Sequence, residues 1–260
     1  MQCVIVQADT SLVDAVHASP NIEPRKNCDR PDMLILHYTG MHSAEKAIDW
    51  LARPESGVSC HYVIGRDGRV TQMVAECMRA WHAGVSHWAG ETDINSRSIG
   101  IEIDNPGHEL GYPDFPEPQM RAVEALARDI VQRQAIAADR VLAHSDIAPI
   151  RKIDPGEKFD WARLARGGVG LWVEPAPLKP GDAGIGQGCG GERVALVQEM
   201  LRHYGYGINV SGDFDHATEA TIRAFQRHFR PLRADGRIDQ STITTLERLL
   251  AARDKLHAIG

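Results

Sequence analysis

Residues 143–156 read AHSDIAPIRKIDPG, and they join a strand signal to three chemically active side chains. The apolar run Arg140-Val141-Leu142-Ala143 predicts a short strand that stops at His144. A proline-containing turn follows, then Lys152 and Asp154, and Pro155-Gly156 closes the segment. The strand delivers an imidazole to a site, and the loop folds back to bring a carboxylate and an ammonium to it. A catalytic zinc centre usually takes three protein ligands and keeps one position for water. Two ligands do not make a site, so on this stretch alone a metal centre and an exposed loop with a carboxylate–lysine pair both stay open.

A third ligand is available upstream. Met33-Leu34-Ile35-Leu36 is a continuous apolar run, the pattern of a central strand buried on both faces. It ends at His37-Tyr38-Thr39-Gly40, a position where sheet proteins commonly carry active-site groups. Taken alone, His37 reads more readily as a hydrogen-bonded core histidine than as a ligand. Ser98 to Asp104, SIGIEID, alternates cleanly: Ile99, Ile101 and Ile103 face the core, and Gly100, Glu102 and Asp104 face the other way. Glu102 therefore projects from a rigid element beside Gly100, which leaves space for a ligand. That suits a catalytic base, although exposed strand glutamates are common.

The remaining pattern alternates strand and helix. Ser43 caps a helix over 44–52, residues 59–64 form a strand, Asp67-Gly68 marks a hairpin turn, and 70–74 return antiparallel. Helices are predicted over 119–135 and 161–166. The group Ala80-Trp81-His82-Ala83-Gly84 forms either a pocket wall or a packed loop anchored by Trp81. The expectation is an α/β catalytic domain, a mixed sheet flanked by helices, over residues 1–168. Residues 169–191 are a linker stiffened by proline between Glu174 and Gly181. Its glycine-rich part, 184–191, lacks the Lys-Ser/Thr ending and the preceding strand of a phosphate loop. From 192 to 260 the texture changes to a small all-α bundle of three helices: one carrying Val194 to Leu201, one from Asp215 to Phe229, and one from Thr242 to His257.

Composition narrows the function classes. A chain of 260 residues has ample length for a buried core, in one large domain or two smaller ones. Acidic residues outnumber basic ones 35 to 29 with no Lys/Arg-rich run, which disfavours nucleic acid and anionic membrane surfaces as partners. Twelve histidines point toward metal or proton chemistry. The five cysteines, Cys3, Cys28, Cys60, Cys77 and Cys189, are odd in number and form no CxxC pair, as expected of reduced thiols in a cytoplasm. No signal-peptide pattern and no membrane-length apolar run is present in the sequence. The expected location is cytoplasmic; a trimmed N-terminus would change that to the periplasm or cell envelope.

With these residues in view, the N-terminal part resembles the type 2, zinc-dependent N-acetylmuramoyl-L-alanine amidases, which share the fold of peptidoglycan recognition proteins. The resemblance rests on five segments in the family's order: 34–39 (LILHYT), 60–68 (CHYVIGRDG), 80–84 (AWHAG), 98–102 (SIGIE) and the stretch quoted first. It covers about residues 15–167. It implies one zinc ion held by His37, His144 and Asp154, a catalytic acidic residue at Glu102 and a catalytic lysine at Lys152. Trp81, His82 and Arg151 are expected to meet substrate. The tail resembles the bacterial peptidoglycan-binding repeat, with departures at Asp215 and Asp239, where glycine is common.

The expected reaction is hydrolysis of the amide between N-acetylmuramic acid, in its 1,6-anhydro form, and L-alanine of the stem peptide, during peptidoglycan recycling. The expected partners are muropeptides or peptidoglycan fragments. An envelope amidase acting on intact peptidoglycan is the alternative, and a non-catalytic muropeptide sensor is a third reading. A Cys60–His61 peptidase is disfavoured because adjacent strand residues point to opposite faces.

Overall fold

The computed structural model describes residues 7–259; Cys3 lies outside them. In chain order the strands and helices are β1 (Ala15–Val16), β2 (Ile22–Pro24), β3 (Met33–Tyr38), α1 (Ala44–Leu51), β4 (Tyr62–Ile64), β5 (Val70–Gln72), β6 (Met78–Ala80), α2 (Ile94–Arg97), β7 (Ser98–Ile103), α3 (Glu117–Gln134), β8 (Val141–Ala143), α4 (His144–Ile147), α5 (Trp161–Arg166), α6 (Glu192–Tyr204), α7 (His216–Phe229) and α8 (Gln240–Ile259). Two compact units emerge. One holds the chain through Val85, Asp93–Leu142 and Gly167–Val169; the other holds Ser86–Thr92, Ala143–Arg166 and the chain from Gly170.

The main sheet has six strands in the order β1-β5-β4-β7-β3-β8, and β2 pairs separately with β6. β7 runs parallel to both β3 and β4, whereas β4 and β5 are antiparallel across the Asp67-Gly68 turn. This is the mixed sheet that the alternating pattern predicts. Gly68 has φ +88°, and a Cβ there would stand 2.7 Å from the Pro118 carbonyl oxygen, so the turn requires glycine. Leu34, Ile35 and Leu36 are fully buried, in keeping with a strand covered on both faces.

Val63, Glu102 and His37 stand in one row across β4, β7 and β3. Helix α1 covers that face at β4, where Leu51 packs with Val63, Cys60 and Met73, and Ala44 and Ile48 lean on the same cluster. The Ser43 hydroxyl accepts from the Lys46 amide and caps α1 as expected. Helix α3 begins two residues earlier than the hydrophobic stripe suggests, because Pro118 is tolerated in a first turn. The side-chain Nε2 of its Gln119 donates to the carbonyls of Ile64 and Asp104, fixing the helix start to the ends of β4 and β7.

The second unit contains the three-helix bundle. Asp215 and Asp239, the two departures from the repeat pattern, both act as helix caps. Asp215 accepts from the Thr218 amide at 2.8 Å, and Asp239 accepts from the Thr242 amide at 2.6 Å. The second carboxylate oxygen of Asp239 pairs with Arg230 at 3.3 Å and with Arg233. The proline- and glycine-rich stretch is bonded along the bundle. The Ala176 amide donates to Thr245 Oγ1 at 2.9 Å, Ser241 Oγ donates to the Ala176 carbonyl at 2.6 Å, and Ile185 exchanges both backbone bonds with Ile238.

Candidate active site

His37 lies one residue before the end of β3, which orders β7 and β8 on either side of it. β8 ends at Ala143, and the chain turns at once into α4, whose first residue is His144. The turn carries its own brace: Asp146 Oδ2 accepts from the Ala143 amide at 2.8 Å, the return half of a capping box. The Ser145 amide donates to the Asp154 carbonyl at 3.0 Å, and the Lys152 amide donates to the Ala148 carbonyl at 2.9 Å. The loop therefore folds back on its own helix turn, as the sequence suggests. The short helix itself is not visible in the pattern AHSDIAP, which offers too few residues for a period to register.

Among the described residues, His37, His144 and Asp154 are the group suited to hold a metal ion. All three are buried, and one ligand atom from each lies within 4.8 Å of the others. His144 Nδ1 and Asp154 Oδ2 are 2.9 Å apart. A tetrahedral ion with bonds of about 2.0–2.1 Å spaces its ligand atoms by roughly 3.3 Å. Two imidazoles and a carboxylate at these separations fit such an ion.

The orientation of His37 is set from below. Ser98 Oγ donates its one proton to the Ile94 carbonyl at 2.6 Å, so towards His82 it acts as an acceptor, 3.1 Å from Nε2. For a neutral His82 ring, Nδ1 is then the bare nitrogen, and it lies 3.0 Å from His37 Nε2. His37 Nε2–H donates to it, which puts the His37 lone pair on Nδ1. A histidine ligand whose second nitrogen is held in this way is the usual pattern around metal ions. The space beside Gly100, expected to admit a ligand, is taken by this ring: a Cβ at Gly100 would stand 2.5 Å from His82 Cγ. The signal for this contact was the glycine itself, at a strand position where close approach is the reason for lacking a side chain.

Glu102 is half-buried and is the register partner of His37. Lys152 is also half-buried, two residues before Asp154. Arg151 is exposed, whereas Trp81 is half-buried, with its backbone bonded to Ser59. His82, only 8% exposed, faces His37.

Cys60 and His61 do not form a nucleophile–base pair. Burial pushes the Cys60 thiol far up, and its Sγ donates to the Tyr62 carbonyl. His61 is fully buried, and its Nδ1 accepts from the Gly100 amide at 2.9 Å. Burial, with the adjacent Arg25 guanidinium, drives its pKa down to about 3. It is a structural histidine that ties β7 to the start of β4.

Among the described residues, no helix is long and apolar enough to cross a membrane. Residues 27–157 match the N-acetylmuramoyl-L-alanine amidase family, and residues 190–246 match a peptidoglycan binding domain. Escherichia coli N-acetylmuramoyl-L-alanine amidase AmiD is 36% identical over 233 residues, covering 85% of this chain and 83% of that protein. Its structure with the substrate anhydro-N-acetylmuramic acid-L-Ala-D-gamma-Glu-L-Lys superposes with a TM-score of 0.72, over 95% of this chain and 93% of that one. Pseudomonas aeruginosa AMPDH3, in complex with anhydromuramic pentapeptide, gives a TM-score of 0.73 at 34% identity, over 85% of this chain and 92% of that one. The 1,6-anhydro-N-acetylmuramyl-L-alanine amidase AmpD of Enterobacter cloacae is 34% identical over 171 residues, 59% of this chain and 89% of that protein. A buried His-His-Asp group of metal-binding geometry, a mixed sheet flanked by helices and these matches lead to one conclusion: the chain belongs to the N-acetylmuramoyl-L-alanine amidase family.

Proposed function

We propose that this amidase is zinc-dependent and hydrolyses the amide between 1,6-anhydro-N-acetylmuramic acid and L-alanine of the stem peptide, in cytoplasmic peptidoglycan recycling. The observation that carries the chemistry is the approach of His37, His144 and Asp154 within 4.8 Å of one another. The anhydro sugar is supported by the ligands of the AmiD and AMPDH3 structures. The cytoplasm is supported by cysteine usage, with Cys28, Cys60, Cys77 and Cys189 as thiols.

His37, His144 and Asp154 would hold the zinc. When bound, zinc supplies Lewis-acid polarisation of the scissile carbonyl and lowers the pKa of water toward neutrality. A Glu102 carboxylate oxygen accepts the proton of the attacking water and passes it to the leaving nitrogen. The Lys152 ammonium offsets the negative charge that develops on the carbonyl oxygen. Water is thereby divided between the products: the lactyl carbon gains the hydroxyl and L-alanine regains its amine. Trp81 and Arg151 complete the proposed substrate side, Arg151 as a cation for a stem-peptide carboxylate, whereas His82, expected there too, is engaged through both ring nitrogens with His37 and Ser98 and serves instead to hold His37. In this reading residues 1–168 carry the chemistry, 169–191 link, and 192–260 form the peptidoglycan-binding-like bundle.

The match of residues 190–246 to a peptidoglycan binding domain favours a second reading, an envelope enzyme acting on intact wall. Cleavage of purified anhydromuropeptide and of intact sacculi, compared at equal enzyme, separates the two, together with fractionation of cells expressing the native gene. Faster turnover of the soluble muropeptide and recovery from the cytoplasm are expected. Faster turnover of sacculi with recovery only from the envelope overturns the recycling assignment and leaves the hydrolysis untouched.

A further inference from the structure

We infer that Tyr206 and His228, two bundle residues far from 143–156 in sequence, are positioning residues for the metal-binding loop, acting through Asp146. This rests on the zinc reading above. Asp146 is completely buried and carries three hydrogen bonds. One is local, from the Ala143 amide. The other two come from the bundle: Tyr206 Oη donates to Oδ1 at 2.7 Å, and His228 Nδ1 donates to Oδ2 at 2.7 Å.

Both bundle donors are themselves fixed. The Trp161 ring stacks on the His228 imidazole with centroids 3.7 Å apart and planes 24° from parallel, which sets the direction of Nδ1. Tyr206 packs edge-on against Trp88 at 5.0 Å. In the same segment as Trp88, the His87 amide donates to the Ile147 carbonyl at 2.8 Å and holds the far end of α4. Tyr206 and His228 are 1% and 2% exposed, so neither bond is exchanged with water.

The consequence follows from what Asp146 controls. Its carboxylate fixes the first amide of the turn that begins at His144, and the Ser145 amide in that turn holds the Asp154 carbonyl. Two of the three proposed ligands therefore take their backbone positions from a carboxylate aimed by the bundle. Without its two donors, that carboxylate is buried with unmet acceptors and draws the turn toward other partners. Groups that orient metal ligands typically alter metal affinity by about 10–100-fold when removed.

The test uses the full chain and measures the zinc dissociation constant by competition with a chromophoric chelator. Tyr206→Phe combined with His228→Leu is expected to weaken zinc binding by about tenfold or more. His228→Asn keeps an N–H near the Nδ1 position and is expected to stay within about threefold of wild type. Tyr206→Phe alone, the mildest change, is expected to cost about threefold and serves if the double variant does not fold. Leu249→Ala, in the buried core of α8, lowers stability without touching Asp146 and is expected to leave zinc affinity unchanged. Unchanged zinc affinity in the folded double variant, or in Tyr206→Phe where the double variant does not fold, overturns the inference alone, as does an equal loss in Leu249→Ala. Wild-type protein that takes up no zinc, or a His144→Ala variant that binds it as well as wild type, overturns the metal reading itself and this inference with it.

Discussion

His37 on β3 and Glu102 on β7 are direct register partners in a parallel pair, so their side chains leave the sheet on the same face. The register fixes the proposed base relative to the proposed ligand through backbone hydrogen bonds alone, with no loop between them. Glu102→Gln preserves shape and removes the proton acceptor. It is expected to retain about one zinc per chain by elemental analysis and to lose about 10²–10⁴ in kcat. Lys152→Ala is expected to lose about 10²–10³ in kcat, again with zinc retained. Loss of zinc from either variant would assign that residue a ligand or structural role instead.

Gly100→Ala tests the floor of the site. The added methyl meets the His82 ring at 2.5 Å, and His82 in turn holds His37 Nε2. Overpacking of this kind costs about 1–3 kcal/mol. The expected result is a lower midpoint in urea together with weaker zinc binding. A variant with wild-type zinc affinity would show that His37 keeps its orientation without His82.

The sequence displays the longer strands and the positions of His37, Glu102 and His144 because each sits at a strand end or on an alternating face, where one local pattern is enough; Asp154 lies in the loop beyond α4 and is legible through the proline-containing turn and the family resemblance. It does not display why those side chains stay where they are. His82 reaches His37 only because Gly100, eighteen positions along the chain, lacks a side chain. Asp146 looks like one more loop acid until His228, 82 residues away, is seen to donate to it. β1, β2 and β6 are two or three residues long and carry no period at all. Local signals read well; pairings made by the folded chain do not.

His61 sets a pH dependence. Its proton affinity is depressed in the folded state, from an ordinary pKa of 6.5 to about 3, by burial and by Arg25. The unfolded chain therefore binds the extra proton, and stability rises with pH across this interval. The His61 contribution is fully present above about pH 6.5 and is lost progressively as pH falls toward 3. At about 1.4 kcal/mol for each pH unit of displacement, it amounts to several kcal/mol. Urea unfolding at pH 7 and pH 5 is expected to show a larger drop for wild type than for His61→Asn, whose amide oxygen replaces Nδ1 as the acceptor for Gly100. Equal drops would remove His61 as the cause.

Glu76 gives a second stability test. Its carboxylate is 3% exposed and is met by two Arg133 nitrogens at 2.7 Å, by Tyr62 Oη at 2.6 Å and by Gln134. Burial alone would raise its pKa, but hydrogen bonds from Arg133, Tyr62 and Gln134 reverse that and hold it low. Arg133→Ala leaves a buried charge without its main partner and is expected to destabilise the fold by about 3–5 kcal/mol. The double variant Arg133→Leu with Glu76→Gln is expected to recover part of that loss. Equal stability of Arg133→Ala and wild type, by urea titration, would show the pair to be dispensable.

The bonds from Ala176 to Thr245 and Ser241, and from Ile185 to Ile238, redefine where the C-terminal module begins. A fragment starting at Glu192 would leave the buried Ser241 and Thr245 hydroxyls facing an uncovered groove and would strip one edge from Ile238. A fragment starting near Glu174 retains the whole seam. Limited proteolysis of the intact chain is therefore expected to spare the prolines and glycines that a digestion map drawn from composition would mark as its first cuts.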